Sequence, residues 1–213
     1  MKSKKDLFRK KSLNILTKSK NQLKRNAVVI EDLINIIKIK SPSSVLLYLP
    51  LKNEINLEKL LKQLRRMKIK VYVPFMLGKS FKMIPYRLPL STKKFGIREP
   101  NFTYKTITQV DIAIVPVVGV DAVAKRIGFG KGMYDRFFAT LNKKPITIFT
   151  QMKTCLSREI ISDDYDIQAD IYITPEKKIF INKIGHTNDR SSSLRWRSCH
   201  NKRRGRFSDR EKI

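Results

Sequence analysis

Acidic side chains are scarce in this sequence. Its 213 residues hold 18 Asp and Glu against 46 Lys and Arg, a formal net charge of +28. Cysteine is sparse too. Cys155 and Cys199 stand far apart, offer no metal-ligand spacing and frame no disulfide scaffold, which suits a reducing cytosol. No apolar run reaches the length of a membrane span, and the basic N-terminus lacks the uninterrupted apolar core of a secretory signal. No Ser, Cys or His stands out as a nucleophile or general base. These absences lead to the expectation of a soluble, cytoplasmic monomer that does not associate with membranes. Hydrophobic residues make up 41% of the chain, enough for one domain with a substantial core. The cationic surplus attracts polyanions such as nucleic acid, acidic membrane surfaces, nucleotides or polyglutamate chains. Drift toward lysine over solvated faces explains the same count, and lysines do occur throughout.

One stretch organises the rest: Ala124-Lys125-Arg126-Ile127-Gly128-Phe129-Gly130-Lys131-Gly132-Met133-Tyr134-Asp135-Arg136. Its glycines alternate with other residues, so the backbone can take positive φ and approach a ligand closely. Successive exposed N–H groups in such a loop form an anion-binding concavity. A helix beginning near Tyr134 adds the positive end of its dipole. Arg126 and Lys131 add full charges. The upstream run Ile112-Ala113-Ile114-Val115-Pro116-Val117-Val118 reads as a buried strand. Strand, glycine loop and helix together deliver a phosphate to the C-terminal edge of an α/β sheet. The spacing is neither a dinucleotide fingerprint, which would need glycine at Met133, nor a P-loop, since Gly132 follows Lys131. Taken by its glycines alone, the stretch is equally a flexible turn.

The full string is more specific. Asp121, Arg126-Ile127-Gly128, Gly130, Gly132 and Tyr134-Asp135 match in order and spacing the signature of the 5-formyltetrahydrofolate cyclo-ligase, or methenyltetrahydrofolate synthetase, family. That signature is Phe-Asp, a Gly-x-Arg-Leu-Gly step, then Gly-x-Gly-Tyr-Tyr-Asp. The chain resembles it closely and departs at Val120 for Phe, Ala124 for Gly and Met133 for the first Tyr. The resemblance runs from Lys20 to Ile184. It implies an ATP-dependent ring closure of 5-formyltetrahydrofolate to 5,10-methenyltetrahydrofolate, with release of ADP and phosphate.

In chain order, Met1 to Thr17 is dense in Lys and Arg with interspersed Leu, Ile and Phe, and reads either as a short amphipathic helix or as a disordered arm. From Lys18, Leu23, Ala27, Ile30, Leu33, Ile34 and Ile37 fall at helical spacing until Ser41-Pro42-Ser43. Val45–Leu49, Lys70–Pro74, Phe81–Tyr86, Asp111–Val118, Pro145–Phe149 and Ile171–Ile173 read as strands, with a hairpin turn at Gly78-Lys79. Glu54-Ile55-Asn56 opens a further helix, where a carboxylate complements the dipole. Lys94–Pro100 resembles the family's Phe-Gly-Ile-x-Glu-Pro segment. The expected fold is α/β: a three-layer single domain at 18–184, whose mixed, largely parallel sheet is flanked by helices. A basic extension at 1–17 precedes it. A basic tail at 185–213 follows, disordered by composition or, through Arg195, Arg197, Arg203, Arg204 and Arg206, a nucleic-acid ligand.

The resemblance also assigns roles. It gives ATP to Lys20, Lys24, Arg126, Ile127, Gly128, Phe129, Gly130, Lys131, Gly132, Met133 and Tyr134, with Arg126 and Lys131 catalytic. Lys20-Asn21-Gln22-Leu23-Lys24 fits the family's Lys-x-x-Leu-Arg helix, with Lys24 in place of Arg and so without the bidentate fork. The reduced folate falls to Leu49, Glu54, Phe129, Gly130, Lys131, Gly132 and Met133. Glu54 accepts from the donor edge of the pterin. Asp135 and Asp166 hold Mg2+, which takes few carboxylates plus phosphates, and Asp166-x-x-x-Asp170-x-x-x-Thr174 matches a family segment. Rival readings are a nucleic-acid-binding protein and a family member without activity.

Overall fold

The computed structural model describes residues 3–92, 96, 98–103, 107–181 and the backbone of 196–198. Most of the Lys94–Ile97 segment and most of the basic tail, Cys199 included, lie outside the described residues. The helices are α1 (Lys4–Thr17), α2 (Gln22–Lys40), α3 (Glu58–Arg66) and α4 (Met133–Ala139). The strands are β1 (Ser44–Leu46), β2 (Lys70–Leu77), β3 (Ser80–Pro85), β4 (Leu90–Thr92), β5 (Arg98–Pro100) and β6 (Ile112–Pro116). They continue with β7 (Gly119–Val120), β8 (Arg126–Ile127), β9 (Ile146–Thr150), β10 (Ile171–Ile173), β11 (Lys178–Ile181) and β12 (Trp196–Ser198).

Eight strands form one sheet in the order β12-β11-β10-β9-β6-β1-β2-β3. The five inner strands from β10 to β2 are parallel, and β3, β11 and β12 add antiparallel edges. β2 and β3 form the expected hairpin, with Leu77 opposite Ser80 and Gly78 at φ 58. Strand alternation sorts the core into two layers. Ile112 and Ile114 face a cluster built with Val29, Leu33 and Ile37 of α2 and Leu60 and Leu64 of α3. Ala113 and Val115 face the other side, against Phe81, Tyr134, Phe137 and Phe138. The fold is therefore the expected three-layer, mostly parallel α/β domain. Among the described residues no helix is long and apolar enough to cross a membrane.

The basic N-terminal stretch, open between helix and arm in sequence, is helical. Ser3 caps α1, its Oγ accepting from the Asp6 N–H at 3.1 Å. Ser12 and Leu16 are buried. Phe8 lies so close to Gly119 that a Cβ there would sit 2.6 Å from its ring and 2.9 Å from the Cys155 carbonyl. Gly119 thus lets α1 dock on the body of the fold.

The connection from β7 to β8 is tied by Asp121, which is fully buried. Its Oδ1 accepts from the Val123 and Lys125 N–H groups at 3.1 and 3.0 Å. Its Oδ2 accepts from the N–H groups of Ile161 and Ser162 and from the Ser162 hydroxyl, at 3.2, 3.1 and 2.6 Å. One carboxylate thereby fixes both the turn that feeds the glycine stretch and the start of the acidic 162–166 loop. Inside that turn Ala124 stands at φ 57, in the left-handed region, at the position where the signature has glycine. An L-residue there costs about 1–3 kcal/mol, against about 0.4–1 kcal/mol lost through the freer unfolded chain when glycine is introduced. Ala124→Gly should therefore stabilise the protein by about 1 kcal/mol in urea denaturation; a destabilised variant would show that the turn carries no such strain.

Candidate active site

Arg126, in β8, is the hub of the glycine stretch. Its side chain is 5% exposed, so its charge must be compensated from within. The Nε donates to the Pro116 carbonyl at the end of the central strand, 3.2 Å away. One terminal nitrogen faces Asp135 Oδ2 at 3.4 Å, and the guanidinium lies 4.9 Å from the centre of the Tyr134 ring. A Cβ on Gly128 would fall 2.3 Å from the guanidinium. That glycine is fixed by the arginine folded over it. Gly130 and Gly132 have φ values of 96 and 60, which favour glycine for conformational reasons. Phe129, Gly130 and Lys131 are exposed at the loop's tip, and α4 begins directly after Gly132.

Helix α1 brings one cation onto this loop and another onto the acidic 162–166 loop. Arg9 donates from Nε to the Gly128 carbonyl at 2.8 Å and lies against Gly130. Lys5 Nζ pairs with Asp163 at 2.7 Å and with Asp166 at 2.5 Å. Burial opposes its charge, but the two carboxylates outweigh that and hold its pKa above the ordinary lysine value. Lys20 and Lys24 are both exposed at the start of α2. Their neighbour Arg25 donates to the Lys20 carbonyl and pairs with Glu176. Lys5 and Arg9 were missed in the sequence. Their four-residue separation puts both on one face of a helix, which is the signal that could have found them.

Beside the loop opens a cavity of about 370 Å³. Of the residues expected at the folate, Leu49, Glu54, Phe129, Lys131, Gly132 and Met133 line it and Gly130 does not; Tyr48, Leu51, Pro74, Met76, Arg98, Pro116, Arg126 and Tyr134 complete the wall. Glu54 does not open a helix, since α3 begins at Glu58. It sits in the preceding loop and accepts from the Leu51 N–H at 2.8 Å. Tyr48 steadies that loop by donating to the Ile55 carbonyl at 3.1 Å, and it also bonds Thr150. Burial pushes the Glu54 carboxyl up to about 7, against the opposing Leu51 N–H and the Arg126 charge. Burial and the Glu54 charge likewise raise the Tyr134 hydroxyl. In the Lys94–Pro100 segment, the buried Glu99 carboxylate accepts from the Met76 N–H at 2.9 Å, tying β5 to β2.

The two expected metal ligands are adjacent but occupied. Asp135 faces Arg126 and accepts from the Ile167 N–H at 3.3 Å. Asp166 holds Lys5 and accepts from the Asp163 N–H at 2.7 Å. Each carboxylate thus already meets a full positive charge. Among the described residues no group of three or more His, Cys, Asp or Glu could hold a metal ion. Mg2+ at Asp135 and Asp166 would therefore compete with Arg126 and Lys5 for these carboxylates.

A largely parallel α/β sheet whose central strand ends at a cationic glycine loop, beside a largely apolar cavity with a carboxylate in its wall, is the class of protein this fold and site define. The comparisons make this specific. The model of the 5-formyltetrahydrofolate cyclo-ligase family matches residues 1–175, and the chain belongs to that family. A Mycoplasma genitalium 5-formyltetrahydrofolate cyclo-ligase is 28% identical over 168 residues, covering 78% of this chain and 92% of that one. A probable 5-formyltetrahydrofolate cyclo-ligase of Schizosaccharomyces pombe is 33% identical over 129 residues, or 51% of this chain, and the match spans 63% of its length. The solution structure of Aquifex aeolicus 5,10-methenyltetrahydrofolate synthetase superposes with a TM-score of 0.71 at 25% identity, covering 88% of this chain and 97% of that one. The matched residues begin at 1, so α1 falls within the family match. The chain is thus an enzyme of the ligase class connected with folate.

Glu54 gives the site a pH signature. Its folded pKa of about 7 lies above the ordinary glutamate value of 4.5, so between these values the folded chain binds more protons than the unfolded one. This contribution to stability is fully present below pH 4.5 and is lost as pH rises through 7. Glu54→Gln removes it, so the variant should gain stability relative to wild type between pH 5 and pH 8 in urea denaturation. Parallel profiles for the two proteins would mean that Glu54 titrates as an ordinary surface glutamate.

Proposed function

We propose that this chain closes 5-formyltetrahydrofolate to 5,10-methenyltetrahydrofolate at the expense of ATP, and that the glycine loop and the cavity divide the two substrates between them. The observation that carries this reading is that Arg126 and Lys131 belong to the loop and also line the Glu54 cavity. A phosphate on the loop and a ring in the cavity then share a wall.

The chemistry accounts for the parts. The formyl oxygen is a poor leaving group. It attacks the γ-phosphorus, ADP departs, and an iminium phosphate forms. Folate N10 then adds to the formyl carbon, loses its proton, and phosphate leaves. The protein's task is to position both substrates and to neutralise phosphate charge. Arg126, Lys131 and the N–H groups of 128–132 serve the triphosphate, with Lys5 and Arg9 of α1 in the place first given to Lys20 and Lys24. Lys5 would exchange the Asp163 and Asp166 carboxylates for phosphate. Asp166 and Asp135 would be the carboxylates available to Mg2+, which would neutralise phosphate charge. Glu54 accepts from the donor edge of the pterin, between Leu49, Phe129 and Met133. Asp135 keeps Arg126 in place. The proposed setting is a cytoplasmic monomer, supported by sparse cysteine and by a sheet with its own two-sided core.

Purified protein given 5-formyltetrahydrofolate, ATP and Mg2+ should produce the methenyl absorbance, and none without ATP. Lys5→Ala and Arg9→Ala should each raise the KM for ATP about tenfold, the scale of a charge-assisted hydrogen bond. Lys24→Ala should leave it within about twofold, as expected for an exposed charge. No product from the wild type would overturn the function; a larger effect at Lys24 than at Arg9 would return the phosphates to α2.

A further inference from the structure

A second cavity of about 330 Å³ adjoins the first. Tyr48, Leu49 and Arg98 line both, so the two compartments share a wall. The floor of the second is apolar, with Leu61, Tyr86 and Leu90 among its residues, and its rim is cationic at Arg65 and Arg98. Glu58 also stands on that rim, but it is already neutralised by Lys62 at 2.9 Å. Neither Arg65 nor Arg98 makes an ion pair among the described residues. Beyond Arg65 the positive field continues past Lys70 and Arg87, along a cleft that no acidic residue lines.

We infer that this second compartment is the seat of the substrate's aryl-glutamate tail, with Arg65 and Arg98 as carboxylate-binding, specificity-determining residues. The inference rests on the reading of the first cavity as the pterin site. Past N10 the reduced folate is a flat benzoyl ring that ends in two carboxylates. An apolar floor suits the ring, and a guanidinium is the side chain best matched to a carboxylate. The plainer account of Arg65 is a cation in the last turn of α3 complementing the helix dipole. That account predicts no dependence on what the substrate carries beyond its ring.

The test compares 5-formyltetrahydrofolate with 5-formyltetrahydropteroate, which keeps N10 and the ring but lacks the glutamate. The wild type should show a KM about tenfold higher for the pteroate, the scale of a hydrogen bond to a charged group. Arg65→Gln should raise the KM for the folate by about the same factor, leave kcat unchanged and barely affect the pteroate. Arg65→Lys should restore part of the loss. Calorimetric titration of both compounds, without ATP, reads the same preference independently of turnover. If the wild type binds the folate and the pteroate alike, or if Arg65→Gln weakens both equally, the tail does not lie in this compartment. A preference seen in titration without methenyl product from any substrate would instead sink the proposed reaction and leave the tail site standing.

Discussion

The architecture of this site depends on one buried guanidinium. Arg126 joins the end of the central strand at Pro116, the glycine loop at Gly128 and the first turn of α4 at Asp135. A charge withdrawn from water to this degree must be paired and hydrogen-bonded, and breaking such a pair from one side typically costs about 3–5 kcal/mol. The constraint explains two signature residues at once. Gly128 has no side chain because the arginine occupies that space. Asp135 balances the arginine from within. The same charge reaches into the cavity, where it partly offsets the burial that raises Glu54. Cavity and glycine loop are thus electrically connected.

Around that hub the protein uses the cheapest available ties. Asp121 accepts hydrogen bonds from five donors and holds two loops in register. α1 docks through Phe8 on Gly119 and brings Arg9 onto the glycine loop and Lys5 onto Asp166. The large surplus of lysine over the rest of the surface needs no such explanation. The cations that matter are those held by a specific partner or set against an apolar floor.

Much of the fold was legible in the sequence because its signals are strong and local. The inner strands are short runs of Val, Ile and Leu bounded by turns, and the hairpin is marked by Gly78. β4, β7 and β8 are three residues or fewer and lie outside the main sheet, too short for a period to show. α1 stayed open between helix and arm because its buried face includes Ser12, which breaks the apolar stripe, while its cations read equally well as a solvated arm. The Lys-x-x-Leu spacing recurs at Lys4–Leu7 and at Lys20–Leu23, and only the packing on Gly119 distinguishes the helix that faces the loop. Glu54 lines the cavity beside the loop, but from a connecting loop and not from a helix start, since α3 begins four residues later. The second cavity was invisible, because its walls come from the loop after β1, α3, β2, the segment from Tyr86 to β4, and β5.

The central claim is that one guanidinium organises both halves of the site. Arg126→Lys tests it most directly, because lysine keeps the charge but cannot bridge Pro116, Asp135 and the face of Gly128 together. With ATP and the reduced folate titrated separately by calorimetry against a folded variant, the account predicts that both affinities fall together. Loss of ATP binding alone, with folate affinity intact, would contradict it and reduce Arg126 to a phosphate ligand.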